Sequence, residues 1–513
     1  MKALLMHPGR DFDTKQPLPW NAPALVQDLE LDTLLGAMHG GDNFVLEVSR
    51  AALLGATGND LATVLHRQAV LADALRNPAV VRELYALAVE TIERKKKHWF
   101  GIFANYPASI LHESITMMAM FVEMLRKLRG IAERHGSSFR SPGFSALFAT
   151  LQDELDEPYL ATIEAHLTEL SFRKGTLLSA RLGNANEGVD HVLRKEHGRG
   201  PNWFDRLLGR APPAYTFHIA TRDQAGAQAL GELRDRGINE VANAMAQSAD
   251  HVLSFFQMLR TELAFYVGCL NLHEHLLTRG VPHAAPLPSA AGESDLRFAD
   301  LHDISLVLTM QGNVIANSVA AEGKRLCVIT GANQGGKTSF LRSIGLAQLM
   351  MQSGMFVCAA SFRGPLCPAI CTHYKREEDT QLKSGKFDEE LARMSAIVDH
   401  LVPDAVVLFN ESFAATNQRE GSEIARQIAT ALLESGVRVF FVTHLYPFAR
   451  GMYDRQRDAG VFLRAERKPD GTRTFKLIEG APLETSYGAD LYKLVFGEDT
   501  EQPRADVAPQ LLA

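Results

Sequence analysis

Between the apolar run Leu326-Cys327-Val328-Ile329-Thr330 and a stretch of helical periodicity lies Gly331-Ala332-Asn333-Gln334-Gly335-Gly336-Lys337-Thr338, which fits the pattern G-x-x-x-x-G-K-[ST]. A strand, a glycine-rich turn and a helix in immediate succession predict a phosphate-binding loop at the edge of an α/β domain. Glycines let the backbone wrap closely round phosphates with its N–H groups inward, and the following helix adds its positive N-terminal end. In this arrangement Lys337 reaches the β and γ phosphates, and Ser339 belongs to the same nucleotide-binding run. The Thr338 hydroxyl is placed to ligate Mg²⁺, an ion that seeks hard oxygen donors.

Two more apolar runs, Ala405 to Phe409 and Val437 to Val442, read as strands buried on both faces, which implies a mainly parallel sheet. The first ends in Asn410-Glu411. That is the form of a Walker B element with its Asp replaced by Asn, so Glu411 is the residue expected to polarise an attacking water. Asn410 can accept hydrogen bonds from metal-bound waters but carries no charge to hold the ion. The second run ends in Thr443-His444, where a side chain could sense the γ phosphate or orient the water. Cys367-x-x-x-Cys371-x-His373 has some metal-ligand character, but the pattern lacks a fourth ligand and strand residues are expected there instead.

Upstream the texture differs. From about residue 45 to 280 apolar residues recur at helical spacing with few hairpin signals. The stripe from Ile238 to Leu277 contains no proline, and an unbroken helix of ~40 residues would reach ~60 Å, the length of a strut rather than a core element. The stretch TRGVPHAAPLPSAAGESD reads as a linker. We therefore expect an α plus α/β chain: an amino-terminal segment (1–45), a helical core and lever or clamp-like arm (46–280), a linker (281–300), a P-loop ATPase domain with a mainly parallel sheet (301–497) and a tail (498–513). A net charge of −7, with 22% charged residues of both signs, gives no global field towards nucleic acid, so any such contact must be local. The five cysteines are scattered among apolar neighbours, and Pro8 interrupts the start before an apolar core develops. A cytoplasmic, reduced protein with no membrane association is expected.

In order, ITGANQGGKTSFLRSIGLAQLMMQSGMFVCA, LFNESFAATNQREG, FFVTHLYPF and GAPLETSYGADLYKLVFG resemble the ATPase domain of MutS-type DNA mismatch repair proteins, within the ABC-type ATPases. The likeness covers roughly residues 300 to 497. It places a strand at Gly354 to Ala359, and Leu65 to Pro78 resembles the start of the family's helical core. The resemblance implies ATP and Mg²⁺ as ligands, Glu411 and His444 as catalytic groups, and a homodimer in which each site is completed from the partner. Ser384-Gly385 is the candidate for that contribution in trans, before a helix bearing Phe387, Leu391, Met394, Val398 and Leu401. No counterpart of the family's amino-terminal mismatch-reading domain is expected here. Its adenine-stacking aromatic is replaced near Val314-Ile315-Ala316-Asn317.

The basic stretch with Arg194, Lys195, Arg199, Arg206 and Arg210 lies before the long helix, about where a DNA-facing clamp would sit. A solvated loop accounts for it equally well. The resulting expectation is an ATP-hydrolysing protein that binds duplex or structured DNA and couples ATP-driven dimer closure to helical arms. The alternative is a nucleotide-gated scaffold with little hydrolysis that binds a protein partner.

Overall fold

Helical spacing in the first half folds into helices, and the alternating texture of the second half folds into layered sheets. A computed structural model describes residues 1–98, 106–173, 175–184, 187–195, 216–332, 334–376, 385–468 and 472–484. In chain order the elements begin with α1 (Ala22–Asp28), α2 (Leu31–His39), α3 (Asn43–Leu54), α4 (Leu61–Arg76), α5 (Pro78–His98), α6 (Pro107–His135), α7 (Pro142–Glu154) and α8 (Glu157–Leu170). A hairpin of β1 (Leu178–Leu182) and β2 (Gly188–Leu193) follows, and then α9 (Gln224–Thr278). Asp42, Ser141 and Asp156 cap α3, α7 and α8 by accepting backbone N–H groups of the first turn, and a proline opens α6, α7 and α8.

The chain packs as two units: Met1–Phe12 with Ala72–Val267, and Asp13–Leu71 with everything from Gly268 onward. In the first, Phe121 of α6 stacks near Phe256 of α9, and Phe139, Phe144 and Phe148 form an aromatic cluster at α7. Burying such rings contributes roughly 1.5–3 kcal/mol apiece. The carboxylate of Glu262 accepts the N–H groups of Leu5 (2.8 Å), Met6 (2.6 Å) and Phe12 (2.7 Å), while the Tyr266 hydroxyl donates to Leu5 O at 2.6 Å. These bonds tie the first twelve residues to α9. By length and composition the segment Pro107–Ser138 is apolar enough to cross a membrane, although no membrane span was expected. Its apolar stripe, including Met118, Val122, Leu125 and Leu128, is buried within this unit.

The second unit carries β3 (Leu287–Ser289), β4 (Asp295–Leu301), α10 (Ile304–Thr309), β5 (Asn317–Glu322), β6 (Leu326–Thr330), α11 (Lys337–Gln352), β7 (Ser361–Pro365), β8 (Ile370–Tyr374), α12 (Lys386–Val398), β9 (Val406–Asn410), α13 (Gln418–Glu434), β10 (Arg438–Val442), α14 (Tyr446–Gln456), β11 (Gly460–Arg467) and β12 (Arg473–Glu479). A six-stranded sheet runs β12-β11-β6-β10-β9-β8, parallel throughout except for the antiparallel edge strand β12. Its interior strands are buried along nearly their whole length, as their unbroken apolar runs require. Phe409 and Phe441 stack at 4.7 Å on one face of it.

Three expectations are corrected here. The stretch 281–300 is not a free linker: it supplies β3 and most of β4, which join β7 and β5 in a four-stranded sheet. Its prolines fit an edge strand, where a missing N–H costs no ladder bond. Gly354 to Ala359 is not a strand, since only Val357 makes a bridge, to Ala284. Leu401 lies beyond the end of α12, and Leu391 and Val398 on that helix are exposed.

Candidate functional site

The turn between β6 and α11 uses its glycines where the backbone demands them. Gly331 has φ +119°, and a Cβ there would lie 2.8 Å from Ala465. Gly336 has φ +84° and passes close to Phe475 O. Of the loop residues, Ala332, Gln334, Gly335 and Ser339 are in place around α11's first turn, while Asn333 lies outside the described residues. Lys337 Nζ donates to the carbonyls of Gly331 (3.0 Å) and Ala332 (2.8 Å). Burial pushes this ammonium down to about 8, against the pull of the Glu411 charge.

The strand ends bring the second set of groups to the same place. Thr338 Oγ1 donates to Asn410 Oδ1 at 3.1 Å, joining the first turn of α11 to the end of β9. Glu411 follows with φ +54°, a left-handed backbone that costs a non-glycine residue roughly 1–3 kcal/mol. Its N–H donates to Val442 O at 2.9 Å, holding it beside β10. From there Glu411 Oε1 accepts from His444 Nε2 at 2.8 Å. The His444 bond holds the Glu411 carboxyl below the usual carboxylate range, with burial acting the other way. The neighbouring Thr443 is buried, and its hydroxyl accepts the N–H of Leu445, starting the turn into α14.

Beyond the loop opens a cavity of about 560 Å³, large enough for a nucleotide. Its lining includes Gly335, Lys337, Thr338 and Glu411 together with the apolar Leu306, Met310, Val314, Ile315 and Phe475. Sequence reasoning missed Phe475 and Arg473. Phe475 sits on β12 with φ +58°, its carbonyl accepting from Asn317 Nδ2 at 3.4 Å, while Asn317 Oδ1 accepts the N–H of Leu477 at 2.7 Å. Arg473 donates to Gln334 Oε1 at 2.6 Å, and its charge helps depress Lys337. Asp303, which also lines the cavity, caps α10 and pairs with Arg342 of α11 at 2.5 Å; Arg342 also meets Glu30.

Residues 59–279 match the domain family described as MutS2 N-terminal domain, and residues 327–500 match MutS domain V. The chain is a MutS-related protein. Endonuclease MutS2 of Thermus thermophilus is 32% identical over 174 residues, which is 33% of this chain and 23% of that protein. Endonuclease MutS2 of Thermomicrobium roseum is 34% identical over 163 residues, 31% of this chain and 20% of that protein. The DNA mismatch repair protein MutS of Streptococcus pneumoniae is 24% identical over 334 residues, 60% of this chain and 38% of that protein. The MutS-related chain thus spans less than two fifths of the length of these relatives.

The remaining expected site residues are distributed unevenly. Gly385 caps α12 from an extended conformation, whereas Ser384 lies outside the described residues. Arg194 Nε donates to Ser179 Oγ at 2.9 Å and Lys195 pairs with Glu169 at 2.9 Å, both beside the β1–β2 hairpin. Arg199, Arg206 and Arg210 lie outside the described residues. Cys367 Sγ lies 3.0 Å from Gln352 Oε1 and both His373 nitrogens have protein partners, so this trio makes no metal site; among the described residues no cluster of ligands for a metal ion occurs.

Proposed function

We propose that this chain binds and hydrolyses ATP with Mg²⁺ and couples that cycle to DNA. The observation that carries the reading is that Lys337, Thr338 and Glu411 line a nucleotide-sized cavity, with Asn410 hydrogen-bonded to Thr338 and His444 to Glu411. Lys337 neutralises the β and γ phosphates, and the N–H groups opening α11 receive their oxygens. Glu411, kept ionised, takes the proton of the attacking water, and His444 orients that carboxylate. Thr338 Oγ1 and Asn410 Oδ1 are adjacent oxygen donors and so fit Mg²⁺, with Asn410 acting through a water. When bound, the ion neutralises charge building on the phosphate oxygens.

In this reading residues 301–497 form the ATPase domain and 46–280 a helical core with an arm. Two ATPase domains close in a homodimer on ATP, with Ser384-Gly385 completing the partner's site. DNA binding draws support from relatives named for endonuclease and DNA mismatch repair functions and from the cations Arg194 and Lys195 beside the hairpin. Arg199, Arg206 and Arg210 extend the proposed contact, and the setting is cytoplasmic.

Asn410 favours a second reading, a nucleotide-gated scaffold with little hydrolysis that binds a protein partner. With Asn in place of Asp the site lacks one negative charge for the ion. Mg²⁺-dependent ATP turnover, measured with and without duplex DNA beside Lys337→Ala and Asn410→Asp, separates the two. Turnover raised by DNA and lost with Lys337 supports the DNA-coupled ATPase; ATP binding without turnover, restored by Asn410→Asp, supports the scaffold.

A further inference from the structure

Behind the catalytic carboxylate lies a buried polar brace that the proposed chemistry does not use. His373, on β8, is fully buried. Its Nδ1 lies 2.7 Å from Ser412 Oγ and its Nε2 lies 2.9 Å from Glu390 O on α12. The Ser412 hydroxyl is also 2.5 Å from the carbonyl of His373 itself. The ring stacks on Phe413 at 5.2 Å with an interplanar angle of 19°. Burial pushes the imidazole down to about 4, so it is neutral at physiological pH. With a carbonyl opposite Nε2, the proton sits on that nitrogen, and the single Ser412 hydroxyl proton lies between two acceptors, Nδ1 and the His373 carbonyl.

Glu390 approaches the same loop from the other side. Its carboxyl is buried and raised by that burial, while the N–H groups of Phe413 and Ala415 hydrogen-bond to it and act in the opposite direction. The loop being held is an awkward one. Glu411 and Phe413 both have left-handed backbone, at φ +54° and +62°, and such conformations persist only where the surroundings over-determine them. The start of α13 adds a further constraint, because a Cβ at Gly421 would fall onto the Phe413 carbonyl oxygen.

We infer that His373 and Glu390 are positioning residues for the catalytic step: together they clamp residues 412–415 between β8 and α12, and thereby fix the direction in which the Glu411 carboxylate points. This deepens the ATPase reading and rests on it. It also makes the seating of α12, the helix that begins at Gly385, a determinant of how well Glu411 is aimed. Neither residue lines the nucleotide cavity, so the brace acts on turnover and leaves ground-state binding alone.

The test compares kcat, KM for ATP and nucleotide Kd for the full chain, His373→Ala, Ser412→Ala and the double variant, alongside melting curves. Ser412→Ala is included because losing a buried imidazole can unsettle the fold, whereas trimming one hydroxyl leaves packing almost intact. We expect kcat to fall about tenfold or more in each single variant with Kd within about twofold, a misaimed group costing turnover rather than affinity. The double variant should fall no further than the worse single one, since both remove the same bond. Amide exchange should also speed up across residues 411–417 in Glu390→Gln. A kcat within twofold of the unaltered chain for Ser412→Ala, or additive losses in the double variant, overturns the positioning role while leaving the ATPase reading standing. Absence of any turnover in the unaltered chain is a different failure, that of the ATPase reading itself.

Discussion

The polar and apolar linings of the nucleotide-sized cavity are built on opposite principles. The polar lining is held by hydrogen bonds: Lys337 to the loop carbonyls, Thr338 to Asn410, Glu411 to His444. In the apolar lining Met310, Val314, Ile315 and Phe475 offer area and little else. Charge recognition needs donors at fixed positions, because a misplaced charge loses most of its interaction. A flat ring needs only a surface to lie on, and many side chains provide one. Chemistry should therefore be intolerant of change in the first lining and graded in the second.

The largest effect that tests this division is on turnover. Glu411→Gln should lower kcat about a thousandfold, in the range typical of losing a general base, with ATP affinity within a few fold. It should also accumulate an ATP-dependent dimer in gel filtration, and no association there would count against ATP-driven closure. Lys337→Ala should weaken binding of ATP and of inorganic triphosphate alike by about a hundredfold, the scale of a buried charge-assisted contact. Titration calorimetry with both ligands reads this directly. Phe475→Ala should weaken ATP about tenfold, as loss of one stacking surface does, and leave inorganic triphosphate unchanged. Equal losses for the two ligands would abolish the distinction between the linings.

The smallest effect is a pH dependence. Because Lys337 is lowered to about 8 in the free protein while a bound polyphosphate favours its charged form, affinity is complete below that value. It declines as pH rises through it, by at most about tenfold per unit. Affinity that is flat or rising between pH 7.5 and 9.5 would remove Lys337 from the titrating role.

The same contrast explains what could be read from residues alone. The polar lining was legible because a phosphate-binding turn demands particular residue types at particular spacings, so Gly331, Lys337, Glu411 and His444 stand out as candidates. The apolar lining joins residues 301–317 to β12, far apart in the chain and without a required residue type, so Phe475 carried no signal. The long helix was legible from its stripe, but its extension back to Gln224 was not, since residues 224–237 carry little apolar periodicity. Residues 281–300 were misread because proline and alanine mark turns and edge strands alike. The acidic groups of the amino-terminal segment gave no hint of their partners: Asp28 meets Arg376 at 2.7 Å and Glu30 meets Arg342. Contacts between segments more than three hundred residues apart leave no local period to detect.

The weaving of the chain through its two units has a consequence for how the protein is made. Met1–Phe12 belongs with Ala72–Val267, and Asp13–Leu71 belongs with the chain from Gly268 onward, so neither unit is one continuous stretch. On a ribosome, where domains usually fold as they emerge, the first twelve residues must wait for Glu262 to be synthesised before their N–H groups find its carboxylate. Helix α1 must wait longer still, for β8, which is translated more than three hundred residues later. The nascent chain therefore carries helices whose packing partners are still untranslated through most of its synthesis.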